Sequence, residues 1–201
     1  MTASAQTYFD AMYGASDDPY GLRTRWYEER KRNLVLAALP ARRYANACEP
    51  GCGVGELTLA LAPRCNRLLA CDLSQQAVAI ARNRCAALDQ VQVEQRELPA
   101  EWPDAEGPFD LIVLSEVGYF LEASAMQALA ACCARSLDAA GTIVACDWGP
   151  DFAERALSTD AVHAAIDALG LARILRHEED DFVLQVWSRD ARSVAQREGI
   201  R

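Results

Sequence analysis

The segment richest in chemical possibility is Glu49-Pro50-Gly51-Cys52-Gly53-Val54-Gly55, an acid followed by three alternating glycines. Glycines let the backbone turn tightly and come close to a ligand, and a helix opening just beyond such a turn offers it unpaired N–H groups. Asp72 lies 21 positions after Gly51, at the end of the next apolar run. A carboxylate there is placed to hold a ribose diol. Turn and carboxylate together imply an adenosine-type cofactor. A dinucleotide fingerprint would need a third glycine where Glu56 stands, and an acid at that point opposes a pyrophosphate. A ligand carrying an ammonium and a sulfonium is compatible with such acids.

Farther along, Ser115 and Glu116 follow the apolar run Leu111–Leu114. The carboxyl end of a central strand is where open α/β sheets bind ligands. Glu116 is therefore the candidate catalytic residue, placed to orient an amine or to accept its proton, the alternative being a capping or salt-bridged carboxylate with a structural role. Tyr119, Trp148 and His163 are candidates for an acceptor pocket; the two aromatics suit the edge of a core equally, and His163 suits a helix surface. The chain has eight cysteines but no C-x-x-C pair, and its histidines are His163 and His177. That is too few ligands at workable spacing for a zinc site, so no metal and reduced, buried thiols are expected.

Positioning these residues calls for alternating strands and helices. Apolar runs at Tyr44–Cys48, Leu68–Cys71, Val91–Val93, Leu111–Leu114 and Thr142–Cys146 read as strands, the third weakly. Between or after them, Glu56–Ala62, Gln75–Leu88, Ser124–Leu137 and Thr159–Leu169 read as helices. Ser74 is a helix cap, Ser124 with Gln127 a capping box, and Gly141 a stop just past that helix. The expected fold is α/β, a Rossmann-like doubly wound sheet with helices on both faces. Its parallel strands end in an antiparallel hairpin, Ile174–His177 with Phe182–Trp187. Residues 1–22 read as a loose arm and Thr24–Leu39 as a helix stopped by Pro40; residues 189–201 read as a frayed polar tail. The division expected is one domain: an arm or lid over residues 1–43, a core over 44–188 and that tail.

Composition bounds the partners. The 201 residues are 51% hydrophobic, with 29 acidic against 20 basic side chains and a formal charge of -9. Among the basic residues only Lys31 is a lysine. An acidic balance disfavours nucleic-acid backbones, whose binders cluster Lys and Arg. No apolar run is long enough to span a bilayer, and the first residues lack the pattern of a signal peptide. A cytoplasmic protein acting on a small molecule, without membrane or nucleic acid, is expected.

The acid-x-G-x-G-x-G turn, Asp72, Phe109-Asp110-Leu111-Ile112-Val113, Leu137–Gly141 and the terminal hairpin together resemble the class I S-adenosylmethionine-dependent methyltransferases over nearly the whole chain. Asp18-Pro19-Tyr20, Tyr27-Glu28, Lys31 and Ser115-Glu116-Val117-Gly118-Tyr119-Phe120-Leu121 resemble the nodulation-protein-S group more closely, though Tyr20 stands where a Trp is common and Asp147-Trp148 has no clear counterpart. The resemblance implies S-adenosylmethionine as cofactor, S-adenosylhomocysteine as product, and seven strands. It also implies methylation of a free amine, as that group methylates a partly deacetylated chitooligosaccharide. Carried over, Gly51 and Gly53 lie under the methionine part, Asp72 takes the ribose hydroxyls and Leu73 lies against the adenine. Arg96 and Glu97 fall where the adenine amino group is read, Glu97 standing where Asp or Asn is usual and suiting a solvated loop charge equally. Lys31 pairs with the cofactor's carboxylate, with Tyr20 closing over it, or else is one more charge on a helix that already holds Glu28, Glu29, Arg30 and Arg32. Glu49, Cys52 and Ser115 complete the cofactor set. Two rivals stay open: a non-catalytic binder of the same cofactor, and an NAD-dependent oxidoreductase, against which Glu56 counts.

Overall fold

A computed structural model describes residues 3–201. Seven strands form one sheet: β1 (Ala47–Pro50), β2 (Leu68–Asp72), β3 (Val91–Gln95), β4 (Phe109–Ser115), β5 (Leu137–Trp148), β6 (Ala172–Glu178) and β7 (Phe182–Ser188). Their order is β3-β2-β1-β4-β5-β7-β6. The pairs among the first five are parallel, and β7 runs antiparallel to both β5 and β6. The doubly wound sheet with its closing hairpin is thus as the sequence pattern requires.

The central strands are apolar throughout because both faces are covered. On one face Cys48, Leu69, Ile112, Leu114, Ile143 and Trp187 pack under α5 (Ala123–Ser136) and α6 (Thr159–Asp167). On the other, Leu111, Val113, Val144 and Val186 meet α2 (Trp26–Ala38) and α3 (Glu56–Leu61), while α4 (Gln75–Cys85) covers Ala70 and Val93. Ser74 caps α4 by accepting the Ala77 N–H. All eight cysteines are free and buried.

Several local expectations are corrected. The arm contains a helix, α1 (Ala3–Ala15); residues 1 and 2 lie outside the described part. What fixes α1 is tertiary: Tyr13 is buried against Val54 and Ala77, and Asp10 accepts the Ser74 hydroxyl at 2.6 Å. The first strand starts at Ala47 rather than Tyr44, because the N–H groups of Ala45 and Asn46 go to the Asp110 carboxylate instead of a ladder. Helix α5 begins at Ala123 behind Glu122, with no capping bond from Ser124, and it runs directly into β5. Gly141 therefore lies inside that strand, where a Cβ would meet Leu137 at 2.7 Å. The tail is docked: Ser193 and Gln196 form a capping box on α7 (Val194–Arg197), and Arg197 donates to the Asp190 carbonyl and the Ser188 hydroxyl.

Candidate functional site

The carboxyl ends of β1, β2 and β4 open into a cavity of about 500 Å³, roofed by α1, α2 and the segment 16–25 between them. At its base is the glycine turn. Gly51 has φ +76°, and a Cβ there would stand 2.8 Å from Val117. Gly53 has φ +51°, also in the left-handed region that favours glycine. Their freedom lets the chain leave β1 and enter α3 while keeping backbone against the cavity.

Two acids face this turn. Asp72, on the last residue of β2, accepts the N–H groups of Gly53 and Ser74, each at 2.9 Å. Burial raises its pKa against those bonds. Glu49 is 2% exposed, and its Oε2 has no hydrogen-bond partner. Burial pushes its pKa up to about 8, the Thr58 hydroxyl opposing and the Asp72 charge adding. A buried carboxylate with an unmet oxygen in a cavity is a site for a cation.

Glu116 is a hub. Its φ of 58° places a non-glycine residue in the left-handed region, a strain of roughly 1–2 kcal/mol. One carboxylate oxygen accepts Lys31 Nζ at 2.7 Å. The other accepts the Tyr119 hydroxyl and the Trp148 N–H, the latter at 3.1 Å. Lys31 also meets Glu28 at 3.1 Å. Burial works against the lysine's charge, but the two carboxylates outweigh it and hold its pKa above the ordinary value. One ion pair thus ties α2 to the ends of β4 and β5.

Of the residues singled out from sequence, Tyr20, Lys31, Glu49, Gly51, Cys52 and Gly53 line the cavity, as do Asp72, Leu73, Arg96, Ser115, Glu116, Tyr119 and Trp148. Glu97 and His163 are not among its lining residues. After β3 the backbone turns so that the Glu97 N–H bonds the Glu101 carboxylate, and buried Leu98 faces the cavity instead. The Arg96 guanidinium is held by Glu94 and the Glu101 carbonyl. His163 is not at the surface and does not line the cavity: it is 4% exposed between Val162 and Ile166, with Nε2 3.1 Å from the buried Asp147 carboxylate. Sequence reading missed Tyr13, Phe120, Phe152 and Glu154 as lining residues, along with Arg155, which fastens the segment carrying the last two. For Phe120 and Phe152 the sequence signal is an aromatic shortly after a strand end; Tyr13, Glu154 and Arg155 carry no such local signal. Among the described residues no group of three or more potential ligands could hold a metal ion, and no helix is long and apolar enough to cross a membrane.

Comparison with known proteins bears on the fold and the family. A family model described as a methyltransferase domain matches residues 47–141. Nodulation protein S of Rhizobium tropici is 34% identical over 111 residues, 53% of this chain and 44% of that protein. Its counterpart in Sinorhizobium fredii is 33% identical over 112 residues, 54% and 50% of the two chains. The chain spans about half the length of these curated relatives. A crystal structure from Pseudomonas syringae, classed as a methyltransferase, is 45% identical, with 82% of this chain and 99% of that one covered at a TM-score of 0.73. The N-methyltransferase NodS of Bradyrhizobium japonicum WM9, in complex with S-adenosyl-L-homocysteine, matches 91% of this chain and 97% of its own at a TM-score of 0.81. At 24% identity that likeness is one of fold.

Proposed function

The chain belongs to the class I S-adenosylmethionine-dependent methyltransferases, and we propose that it methylates an amine nitrogen of a small-molecule acceptor, an amino sugar or short oligosaccharide. The cofactor supplies an electrophilic methyl group on a sulfonium. The observation that carries the reading is the buried, unpaired Oε2 of Glu49 beside the glycine turn. It suits an ammonium, as a methionine moiety carries and a nicotinamide dinucleotide does not.

On this reading Asp72 uses its remaining lone pairs for the ribose hydroxyls, and Leu73 with Leu98 gives the adenine an apolar slot. Gly51, Gly53 and Cys52 lie along the methionine part, and Ser115 borders it. Lys31 is the one lysine available for a carboxylate, and Tyr20 closes the segment 16–25 over the site. Arg96 reads the outer edge of the base, while Glu97 is left outside. Glu116 orients rather than abstracts: an oxygen pair already holding an ammonium, a phenol and an N–H is poorly placed to take a further proton. Its work is to fix Tyr119 and Trp148 as walls for the acceptor. Alignment and exclusion of water then supply most of the rate, since the electrophile needs no activation. The acidic balance draws amines towards the site, and eight buried thiols suit a reducing, cytoplasmic setting.

The amine preference follows the relatives whose names speak of nodulation protein S and N-methyltransferase. Calorimetric titration with S-adenosylmethionine, S-adenosylhomocysteine and NAD tests the cofactor, and methyl transfer to glucosamine oligomers tests the acceptor. Binding of the two sulfur nucleosides without NAD, with label recovered on nitrogen, is expected. Binding with no transfer to any amine would leave a cofactor-binding protein and remove the acceptor reading.

A further inference from the structure

Besides Glu49, Glu56 and Asp72, which lie on or beside the ends of β1 and β2, three carboxylates border the cavity: Glu28, Glu116 and Glu154. Lys31 engages the first two, and Tyr119 and Trp148 complete the bonding of Glu116. Glu154 differs. Among the described residues it forms no ion pair, and it stands beside the phenol of Tyr8, whose pKa it helps burial to raise. Its charge also reaches Tyr20, whose pKa is raised by burial first and then by Tyr8, Glu154, Asp72 and Glu116.

The segment that carries Glu154 is tightly held. Arg155 donates to the Trp148 carbonyl at 2.5 Å, the Pro150 carbonyl at 3.1 Å and the Thr159 hydroxyl at 3.1 Å. Its guanidinium lies 5.1 Å from the Tyr119 ring and 5.0 Å from that of Phe152. The N–H groups of Ala156 and Leu157 bond the Tyr119 carbonyl. Phe152 continues into an aromatic wall with Tyr119, Phe120 and Phe9, each ring 4.8–5.7 Å from a neighbour. A fixed aromatic track therefore runs from an exposed rim carboxylate, beside the Tyr8 phenol and without an ion-pair partner among the described residues, towards Glu116 inside.

A nitrogen that accepts a methyl group must be neutral, because an ammonium has no lone pair. A rim carboxylate stabilises the opposite form. We propose that Glu154 determines acceptor specificity by pairing with a second, cationic amine of the acceptor while a neutral amine farther along the aromatic wall is methylated. This rests on the N-methylation reading above and narrows it to acceptors carrying two amines.

The test compares glucosamine, with one amine, against its β-1,4-linked dimer, with two, in the full chain and in Glu154→Gln and Glu154→Lys. S-adenosylhomocysteine affinity in each protein checks that the site is folded. Expected is a preference of the unaltered chain for the dimer, with the dimer KM rising about fivefold in Glu154→Gln. Glu154→Lys should raise it by about tenfold or more, and the monomer should change little in either variant. The same dimer preference in Glu154→Gln as in the unaltered chain would overturn the proposal and leave N-methylation standing. Should neither amine be methylated, their binding to the protein loaded with S-adenosylhomocysteine is read by tryptophan fluorescence. A dimer preference lost in Glu154→Gln then supports the role of Glu154 although the acceptor reading has failed. A preference retained there, or no binding of either amine, overturns the proposal.

Discussion

The two halves of the cavity are built differently. The cofactor half rests on strand ends and one turn: Glu49, Gly51, Gly53 and Asp72 lie on or directly after β1 and β2, and strand pairing fixes their spacing. The acceptor half is assembled from segments distant in sequence. Lys31, which on the proposed reading also serves the cofactor's carboxylate and so joins the two halves, reaches Glu116 across 85 positions, and the Trp148 N–H reaches it across 32. A half made by strand register is stiff in backbone and constrained in residue type. A half made by side-chain pairing across elements can change its acceptor without disturbing the sheet.

The first way to break this comparison is at the turn. Gly53→Asp puts a side chain on a left-handed position beside the Tyr13 hydroxyl, which a Cβ would approach to 3.2 Å, and adds a negative charge near Asp72. It should abolish calorimetric binding of S-adenosylhomocysteine while the protein stays folded by circular dichroism. Retained binding would mean that the turn does not set the cofactor half.

The second tests whether the acceptor half depends on its ion pair. Lys31→Met removes the one cation that, among the described residues, pairs with Glu116, and leaves it and Glu28 without their shared lysine. Breaking a mostly buried pair from one side costs about 3 kcal/mol, which a denaturant titration would read. The double variant with Glu116→Gln should be less damaged than the two single losses added together, by at least about 1 kcal/mol. Strict additivity would show the contact contributes no coupling. Glu116→Ala alone should spare cofactor binding and lower turnover, with full turnover removing it from the site.

This division also explains what could be read from the chain. Strand runs such as Leu68–Cys71 and Leu111–Leu114 are apolar because helices cover both sides, so periodicity finds them. The glycine turn and Asp72 are local patterns with local causes. By contrast, α1 has no strong amphipathic stripe, and it is held by Tyr13 and by Asp10 at Ser74, contacts that no local window contains. Glu154 and Arg155 sit in a polar stretch between β5 and α6, and only the fold shows that Arg155 fastens it over Tyr119. His163 was ambiguous for the same reason: its partner, Asp147, lies on another element.

The third prediction sharpens the electrostatics of the cofactor half. In the folded chain Glu49 keeps its proton to about pH 8, against its ordinary value of 4.5. A raised pKa of this kind contributes stability that is complete below 4.5 and is lost as pH climbs through about 8. Binding an ammonium asks for the ionised form, so a proton must leave. Affinity for S-adenosylhomocysteine should therefore improve by about tenfold per pH unit as pH rises towards 8 and then level off. Calorimetry in buffers of different ionisation enthalpy should register that proton. Glu49→Gln should bind more weakly and lose the pH slope; a flat profile in the unaltered chain would mean Glu49 does not meet the cation.

The smallest expected effect falls at the seam between the halves. From sequence, Glu97 stands where the base's amino group is read. In the fold its N–H bonds Glu101, its side chain is exposed, and Leu98 and Arg96 reach the cavity instead. Glu97→Ala should change the affinity for S-adenosylhomocysteine by no more than about twofold, as for other exposed positions. Asp72→Ala, one strand away and bonded to the turn itself, should cost far more. If the two variants lost comparable affinity, the β3 end would belong to the cofactor half after all, and the line between strand-built and side-chain-built regions would have to move outward to include it.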